Sequence, residues 1–126
     1  MADFGALERA VMNELWDAGG PMLVRELRER VNARSGRELA YTTVQTVVDR
    51  LAHKGFVLRT QDGRAHRYAP IRSREEHIAA LMLEALSDTG KRGAVLARFA
   101  QLVDARDAKA LLQALTDRSA RGQRRQ

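Results

Sequence analysis

Cysteine is absent from this chain of 126 residues, and aromatic residues make up only 5% of it. Without thiols the chain can form no disulfide and offers neither a thiolate nucleophile nor a Cys-type zinc finger. No stretch approaches the roughly 18 consecutive apolar residues of a membrane span. The N-terminus also lacks the cationic segment and apolar run of a signal peptide, so we expect a cytoplasmic protein.

Signatures of catalysis and of metal binding are missing as well. The chain has no Gly-rich phosphate loop, no Ser-centred elbow and no paired-carboxylate pattern, so no enzyme and no cofactor is expected. The three histidines, His53, His66 and His77, are not spaced as a ligand set. Metal sensing is therefore not favoured.

Positive charge is in excess and unevenly placed. The formal net charge is +6 and the pI is near 10.7. Residues 37–72 contain seven basic and three acidic side chains, so +4 of that charge lies in this segment. Such a concentration favours a polyanionic partner.

Helical periodicity is clearest between residues 41 and 54. An apolar stripe recurs at i, i+3, i+4 and i+7 and should face a core. Its members are Val44, Val47, Val48 and Leu51. The opposite face carries hydroxyls, an amide and a guanidinium, which can hydrogen-bond base edges and phosphates. This face consists of Thr42, Thr43, Gln45, Thr46, Asp49, Arg50 and His53. The alternative is a surface helix that happens to be rich in threonine.

A basic hairpin is predicted directly after this helix. Gly55 is placed to end the helix, and Asp62-Gly63 separates two strand-like runs as a type I′ turn would. The hairpin should bring Arg59, Arg64 and Arg67 together, where a phosphate backbone would offset their mutual repulsion.

The expected fold class is mostly α with a small β-hairpin. Residues 5–18 and a second segment ending near residue 34 show helical periodicity, and a polar loop separates them from the Thr-rich helix. Helix, helix, loop, helix, hairpin is the order of a winged helix-turn-helix, a DNA-binding domain. We place this domain in residues 1–72.

A three-helix dimerisation domain is expected in residues 73–116. Ser73 and Glu76 form a capping box at its start, and Asp104 can cap its last helix. Three short helices have too little interior to bury three apolar stripes, so a second copy should cover them. The expected dimerisation residues are Ile78, Leu81, Met82, Leu86, Val95, Phe99, Leu111, Leu112 and Leu115. Residues 117–126 should form a basic disordered tail.

Two segments resemble a known family. Residues 8–16 read ERAVMNELW, and residues 42–57 combine a T-V-x-T core, R-L-x-x-K-G and the start of a basic wing. They resemble the N-terminal domain of the penicillinase-repressor family, the BlaI, MecI and CopY-type bacterial repressors, and most of all its actinobacterial BlaI-like members. The resemblance continues to about Leu115 and so covers nearly the whole chain.

The resemblance implies a DNA-contacting surface. It places Thr42, Thr43, Gln45, Thr46 and Arg50 on DNA, and Arg64 and Arg67 against phosphate. We add four neighbours from the same part of the sequence, which are Tyr41, Asp49, Lys54 and His66. Gln45 stands where some relatives carry Arg, so the base preferred there differs between members.

The resemblance also implies a mode of action. Such a protein is a homodimeric repressor on a dyad-symmetric promoter operator, expected to control beta-lactamase or other antibiotic and cell-wall stress genes. A sensor-pathway protease releases it by cutting the dimerisation domain, by position at Arg98–Phe99, although a Phe on an apolar stripe is more often simply a core residue. The alternatives are a winged-helix protein–protein adaptor and a non-specific nucleic-acid binder, including one of double-stranded RNA.

Overall fold

The computed structural model describes residues 4–124, which contain six helices and three strands. The elements are α1 (Ala6–Ala18), β1 (Met22–Leu23), α2 (Val24–Ser35), α3 (Tyr41–His53), β2 (Val57–Asp62), β3 (Ala65–Pro70), α4 (Arg74–Ser87), α5 (Arg92–Leu102) and α6 (Ala105–Arg124). The expected fold class, a mostly helical chain that opens with a winged helix, is confirmed.

The core of the winged helix forms where α1, α2 and α3 meet. The apolar stripe of α3 is at most 6% exposed, as its spacing predicts. It packs in one cluster with Val11 and Leu15 of α1 and with Leu27 and Val31 of α2. Because burial of one such side chain contributes roughly 1.5–3 kcal/mol, this cluster fixes the angle at which α3 leaves its polar face outside.

Two backbone hydrogen bonds at the C-terminal end of α3 reverse the chain direction before β2 begins. The amide of Gly55 donates to the carbonyl of Ala52 at 3.1 Å, and the amide of Phe56 donates to the carbonyl of Leu51 at 2.9 Å. Gly55 has a φ of 86°, which a residue without Cβ adopts with little strain. It therefore ends α3 where the sequence predicts, and the hairpin follows immediately.

The hairpin belongs to a three-stranded antiparallel sheet in the order β1-β3-β2. β1 pairs Met22 with Tyr68 and Leu23 with Arg67. This strand was not predicted, because two residues are too few to show periodicity. Its pairing holds the start of α2 beside the hairpin.

The turn of the hairpin lies one residue later than predicted. Asp62 pairs with Ala65, so Gly63 and Arg64 form the two-residue loop. Of these two, only Gly63 has a positive φ, at 63°. A type I′ turn needs positive φ at both positions, so the observed turn fits the type with Gly first.

The first turns of α4 pack on the winged helix through aromatic rings. His77 is 9% exposed and stacks on Phe4, with ring centroids 4.5 Å apart. Its ring also lies 5.5 Å from Trp16 and 5.9 Å from Phe56. Contacts accordingly divide the chain after Glu84, later than the boundary at residue 72 that we expected from the sequence. The predicted capping box is present, since Ser73 and Glu76 exchange two bonds of 3.1 Å.

The second unit contains α5 and α6. Asp104 caps α6 as predicted, because its Oδ1 accepts a hydrogen bond of 2.8 Å from the amide of Asp107. The disordered tail expected from residue 117 is wrong for residues 117–124, which continue α6, while residues 125 and 126 lie outside the described part of the chain. Ala, Arg and Gln have high helix propensity and extend an existing helix at little cost.

Within residues 4–124 no helix is both long and apolar enough to cross a bilayer.

Candidate nucleic-acid interface

A cleft of about 240 Å³ opens where α2, α3 and the hairpin meet. We call β2, β3 and their loop, residues 57–70, the wing. Four of the predicted DNA-contacting residues line the cleft, namely Tyr41, Gln45, Arg64 and His66. The tertiary structure thus brings the start of α3 and the tip of the wing to one surface.

Arg25 is a residue of this cleft that the sequence did not single out. It is exposed in the first turn of α2 and lines the cleft together with Arg64 and His66 of the wing. Within α2 it looks like one of several solvated charges, so no local pattern marks it. Its place follows from the pairing of Leu23 with Arg67, which sets the start of α2 against β3.

Beside the cleft, α3 presents a polar stripe to solvent. Thr42, Thr46 and Arg50 are exposed, and Thr43 is half-buried. The hydroxyl of Thr46 donates to the carbonyl of Thr42 at 2.8 Å. Its oxygen can still accept a bond from an outside donor, because a hydroxyl has two lone pairs.

A three-membered hydrogen-bond network joins α3 to the wing. Gln45 Nε2 donates to Asp49 Oδ2 and to the Tyr68 hydroxyl, both at 3.0 Å, and that hydroxyl donates to Asp49 Oδ1 at 2.8 Å. Burial, followed by the bond to Asp49, raises the pKa of Tyr68. Asp49, predicted to meet DNA, therefore has both oxygens engaged inside the protein.

Arg67 is also engaged inside the protein. Its Nε donates to Asp62 Oδ2 at 2.7 Å, and its Nη1 lies 3.5 Å from Glu26 Oε1. The bond to Asp62 is the main reason that the pKa of Arg67 is raised. Much of its charge is thus offset before any phosphate approaches.

The expected cluster of three arginines does not form. Arg59 pairs with Tyr68, and Thr60 pairs with Arg67. Directly paired residues share a face of a sheet and successive residues alternate, so Arg59 and Arg67 lie on opposite faces. The prediction that the three guanidiniums lie together is wrong, because it ignored the alternation of side chains between the two faces of a strand. Of the three arginines, Arg64 in the loop is the one that lines the cleft.

Lys54 has a partner at the other end of α3. Its Nζ donates to Glu8 Oε2 of α1 at 2.9 Å. This bond, with a further one from the Gly5 amide, lowers the pKa of Glu8 although burial opposes the shift. The contact gives Lys54 a role in holding α3 on α1. From the sequence, Lys54 was expected only to contact DNA.

Positive charge from Arg25 and Arg64 therefore flanks hydroxyl and amide groups on an exposed helix. A helix of this kind beside a basic wing defines a winged-helix DNA-binding protein, of the class that regulates transcription. The chain belongs to the penicillinase repressor family, whose model matches residues 4–117. The resemblance seen in residues 8–16 and 42–57 is confirmed, and the family consists of regulators and not of enzymes.

Known proteins agree with this assignment. The transcriptional regulator BlaI of Mycobacterium tuberculosis is 50% identical over 116 residues, which cover 90% of this chain and 83% of that protein. The solved DNA-binding domain of the repressor BlaI has a TM-score of 0.50 at 23% identity and covers 59% of this chain and 87% of that one. RosR of H. salinarum has a TM-score of 0.52 at 18% identity, with 94% and 96% covered. The two structures show the likeness of fold.

Proposed function

We propose that the protein is a homodimeric repressor that binds a dyad-symmetric operator in duplex DNA overlapping a promoter, in the cytoplasm. The cleft between α2, α3 and the wing carries the proposal, because Arg25 and Arg64 line it together with Gln45. In this arrangement α3 enters the major groove, while the two arginines lie against the phosphate backbones on either side. By analogy with its family, the controlled genes are those for beta-lactamase or for other antibiotic and cell-wall stress responses.

The exposed stripe of α3 supplies the remaining contacts. Thr42 and Thr46 offer hydroxyls to base edges or phosphates, and Arg50 offers a guanidinium that suits guanine or phosphate. Half-buried Thr43 contacts the backbone at the edge of the groove. These roles remain proposals, each open to substitution of a single side chain.

Dimerisation through the C-terminal helices is supported by their apolar exposure. Leu112 is 67% exposed, and α5 has no buried residue. Among the proposed dimerisation residues, Leu81 and Leu86 are half-buried, and the others are exposed, namely Ile78, Met82, Val95, Phe99, Leu111, Leu112 and Leu115. Burial of each large side chain by a second copy would contribute roughly 1.5–3 kcal/mol. Such a dimer would present two α3 helices to half-sites about 34 Å apart.

Release by proteolysis within α5 completes the proposal. The Arg98–Phe99 bond lies inside α5, and Phe99 belongs to the exposed apolar set. A protease that binds an extended substrate would have to unwind α5 locally. The cut would separate α6, which carries three of the proposed dimerisation residues, from the rest of the chain. Mass spectrometry of cells exposed to a beta-lactam should then detect a fragment that ends at Arg98. An intact chain under conditions that derepress the target genes would contradict this step.

The central experiment measures binding to DNA by fluorescence anisotropy. The probes are a duplex from the promoter of the protein's own gene and a scrambled duplex of equal length, each across a salt series. We expect two protomers per promoter duplex and much weaker binding to the scrambled one. Equal, steeply salt-dependent binding to both would indicate a non-specific nucleic-acid binder, and no binding to either would favour the adaptor.

One substitution tests the placement of the wing. Arg64→Ala should weaken binding to both duplexes alike and lower the slope of log affinity against log salt by about 0.9, because one phosphate contact is lost. Arg106→Ala, at an exposed position in α6, serves as the control and should leave the slope unchanged. A loss confined to the promoter duplex would assign Arg64 to a base instead of a phosphate.

A further inference from the structure

The amide of Gln45 has its two donors committed within the protein. Nε2 lies 3.0 Å from Asp49 Oδ2 and 3.0 Å from the Tyr68 hydroxyl. An amide nitrogen carries two hydrogens and accepts nothing, so these two bonds use its full capacity. The carbonyl oxygen, Oε1, is the group of this side chain that remains for DNA.

The orientation of this amide is fixed by its partners. Asp49 Oδ1 accepts from the Tyr68 hydroxyl and Oδ2 faces Gln45 as an acceptor, so the Gln45 atom 3.0 Å from Oδ2 has to be the nitrogen. The Tyr68 hydroxyl gives its own proton to Asp49 at 2.8 Å and therefore accepts from Gln45. Rotation of the amide by half a turn would set its oxygen against the carboxylate and would break both bonds.

The partners themselves are held rigidly. Tyr68 is 1% exposed in the central strand of the sheet, and Asp49 lies one turn after Gln45 on α3. Burial and the bond to Asp49 keep the pKa of Tyr68 above its usual value, so its hydroxyl stays protonated at neutral pH. Gln45 lines the cleft with the rest of this network behind it. Its conformation is thus set before DNA binds.

We propose that Gln45 reads DNA only as a hydrogen-bond acceptor, and that Tyr68 and Asp49 are positioning residues that enforce this. The inference rests on the proposed function, because it requires α3 in the major groove. An unconstrained glutamine binds adenine through both N6 and N7. Gln45 instead requires an exocyclic amine, which adenine (N6) and cytosine (N4) present in the major groove and which guanine and thymine lack.

The consequence is a distinctive base preference at one position of each half-site. Adenine and cytosine should be accepted alike there, and guanine and thymine should both be rejected. The rejected bases present O6 or O4 acceptors toward Oε1, so we expect affinity to fall about tenfold for either. A glutamine with a free amide would instead select adenine alone.

The test uses the promoter duplex of the protein's own gene with all four base pairs placed in turn at each operator position. The position read by Gln45 is the one whose preference disappears in Gln45→Ala. For the unaltered protein, similar affinities for adenine and cytosine and about tenfold weaker binding of guanine and thymine would support the inference. A preference of about tenfold for adenine over cytosine would overturn it.

A conservative variant tests the positioning role. Tyr68→Phe keeps the buried ring but frees one Gln45 N–H, so adenine should now be bound about fivefold to tenfold better than cytosine at that position. A merely structural role would weaken all four duplexes equally, which would overturn the inference. In the Gln45→Ala background the same change should leave the base profile flat.

The control is Ser119→Ala, which also removes a hydroxyl but lies in α6, outside the cleft and the network. Its base profile at the Gln45 position should match that of the unaltered protein. Equal binding of promoter and scrambled duplexes would overturn the proposed function and this inference together. Specific binding with an adenine-only or featureless profile at the Gln45 position would overturn this inference alone.

Discussion

Removal of the Lys54 ammonium should destabilise the winged helix more than removal of an unpaired, exposed charge would. Lys54 Nζ lies 2.9 Å from Glu8 Oε2, and Glu8 is only 8% exposed. In Lys54→Met the carboxylate would keep the Gly5 amide at 3.1 Å as a donor but would lose its countercharge. The change therefore leaves a nearly buried anion without its cation.

The expected loss follows from the burial of the two partners. A hydrogen bond to a charged group contributes about 1.5–3 kcal/mol, whereas an exposed ion pair contributes about 1 kcal/mol or less. Because the Lys54 side chain is 44% exposed, solvent screening places this pair between the two cases. We expect the free energy of unfolding to fall by about 1–2 kcal/mol, or the melting temperature to fall by roughly 5–15 °C.

The loss should depend on pH in a defined direction. The folded-state pKa of Glu8 lies below its ordinary value of 4.5, chiefly because of the Lys54 bond. As pH falls, the Glu8 carboxylate takes up a proton in the unfolded chain before it does so in the folded protein. The ion pair therefore stabilises the fold fully above about pH 4.5 and ceases to do so as pH drops through the folded-state pKa of Glu8. The difference in the free energy of unfolding between the unaltered protein and Lys54→Met should therefore be largest at about pH 7 and should shrink toward about pH 3.

Urea unfolding followed by the fluorescence of Trp16, the single tryptophan, measures this gap. Protein concentration has to be the same throughout, because dimerisation would change apparent stability. Lys91→Met, at an exposed position before α5, is the control and should behave like the unaltered protein at both pH values. A gap of equal size at both pH values would refute the reasoning. Unchanged stability with weakened DNA binding would instead support the DNA contact that the sequence suggested for Lys54.

Three further predictions concern a cap, a turn and the dimerisation surface. Ser73→Ala removes the oxygen that accepts from the Glu76 amide and should cost about 1 kcal/mol in urea unfolding, whereas Ser73→Asp should retain most of it. Gly63→Ala places a residue with a Cβ at a φ of 63° and should lower the free energy of unfolding by about 1–2 kcal/mol. An unchanged urea midpoint would contradict the turn described at Gly63. Leu112→Lys should reduce the species in sedimentation equilibrium to 14.1 kDa with helix content retained in circular dichroism. Gln113→Lys is its control, and a surviving Leu112→Lys dimer would exclude this surface.

Local pattern determined most of the fold. The apolar spacing of α3 depends only on the helical period, and all four of its members are buried. Gly55 ends α3 and Ser73 begins α4 for reasons contained in a few neighbouring residues, namely a positive φ and a reciprocal pair of side-chain bonds. The polar face of α3 and the family resemblance likewise needed no tertiary contact.

Strand register decided what local pattern could not. The pairing of Asp62 with Ala65 moves the turn by one residue and places Arg64 in it. Every cross-strand partner thereby shifts by two residues, so that Arg59 pairs with Tyr68, and composition near the turn does not fix that shift. Even the existence of β1 depends on β3, which lies far along the chain.

Contacts between residues distant in sequence decided the roles of individual side chains. Lys54 is a basic residue at the end of α3 in the sequence, and only the packing of α1 gives it Glu8 as a partner. Gln45 looks like a free amide until the wing brings Tyr68 within 3.0 Å of it. The sequence alone indicated the surface that we propose faces DNA, because amphipathic period and charge are local properties. The tertiary structure decided which atoms on that surface remain available, because a hydrogen bond made within the protein removes a donor that a base would otherwise use.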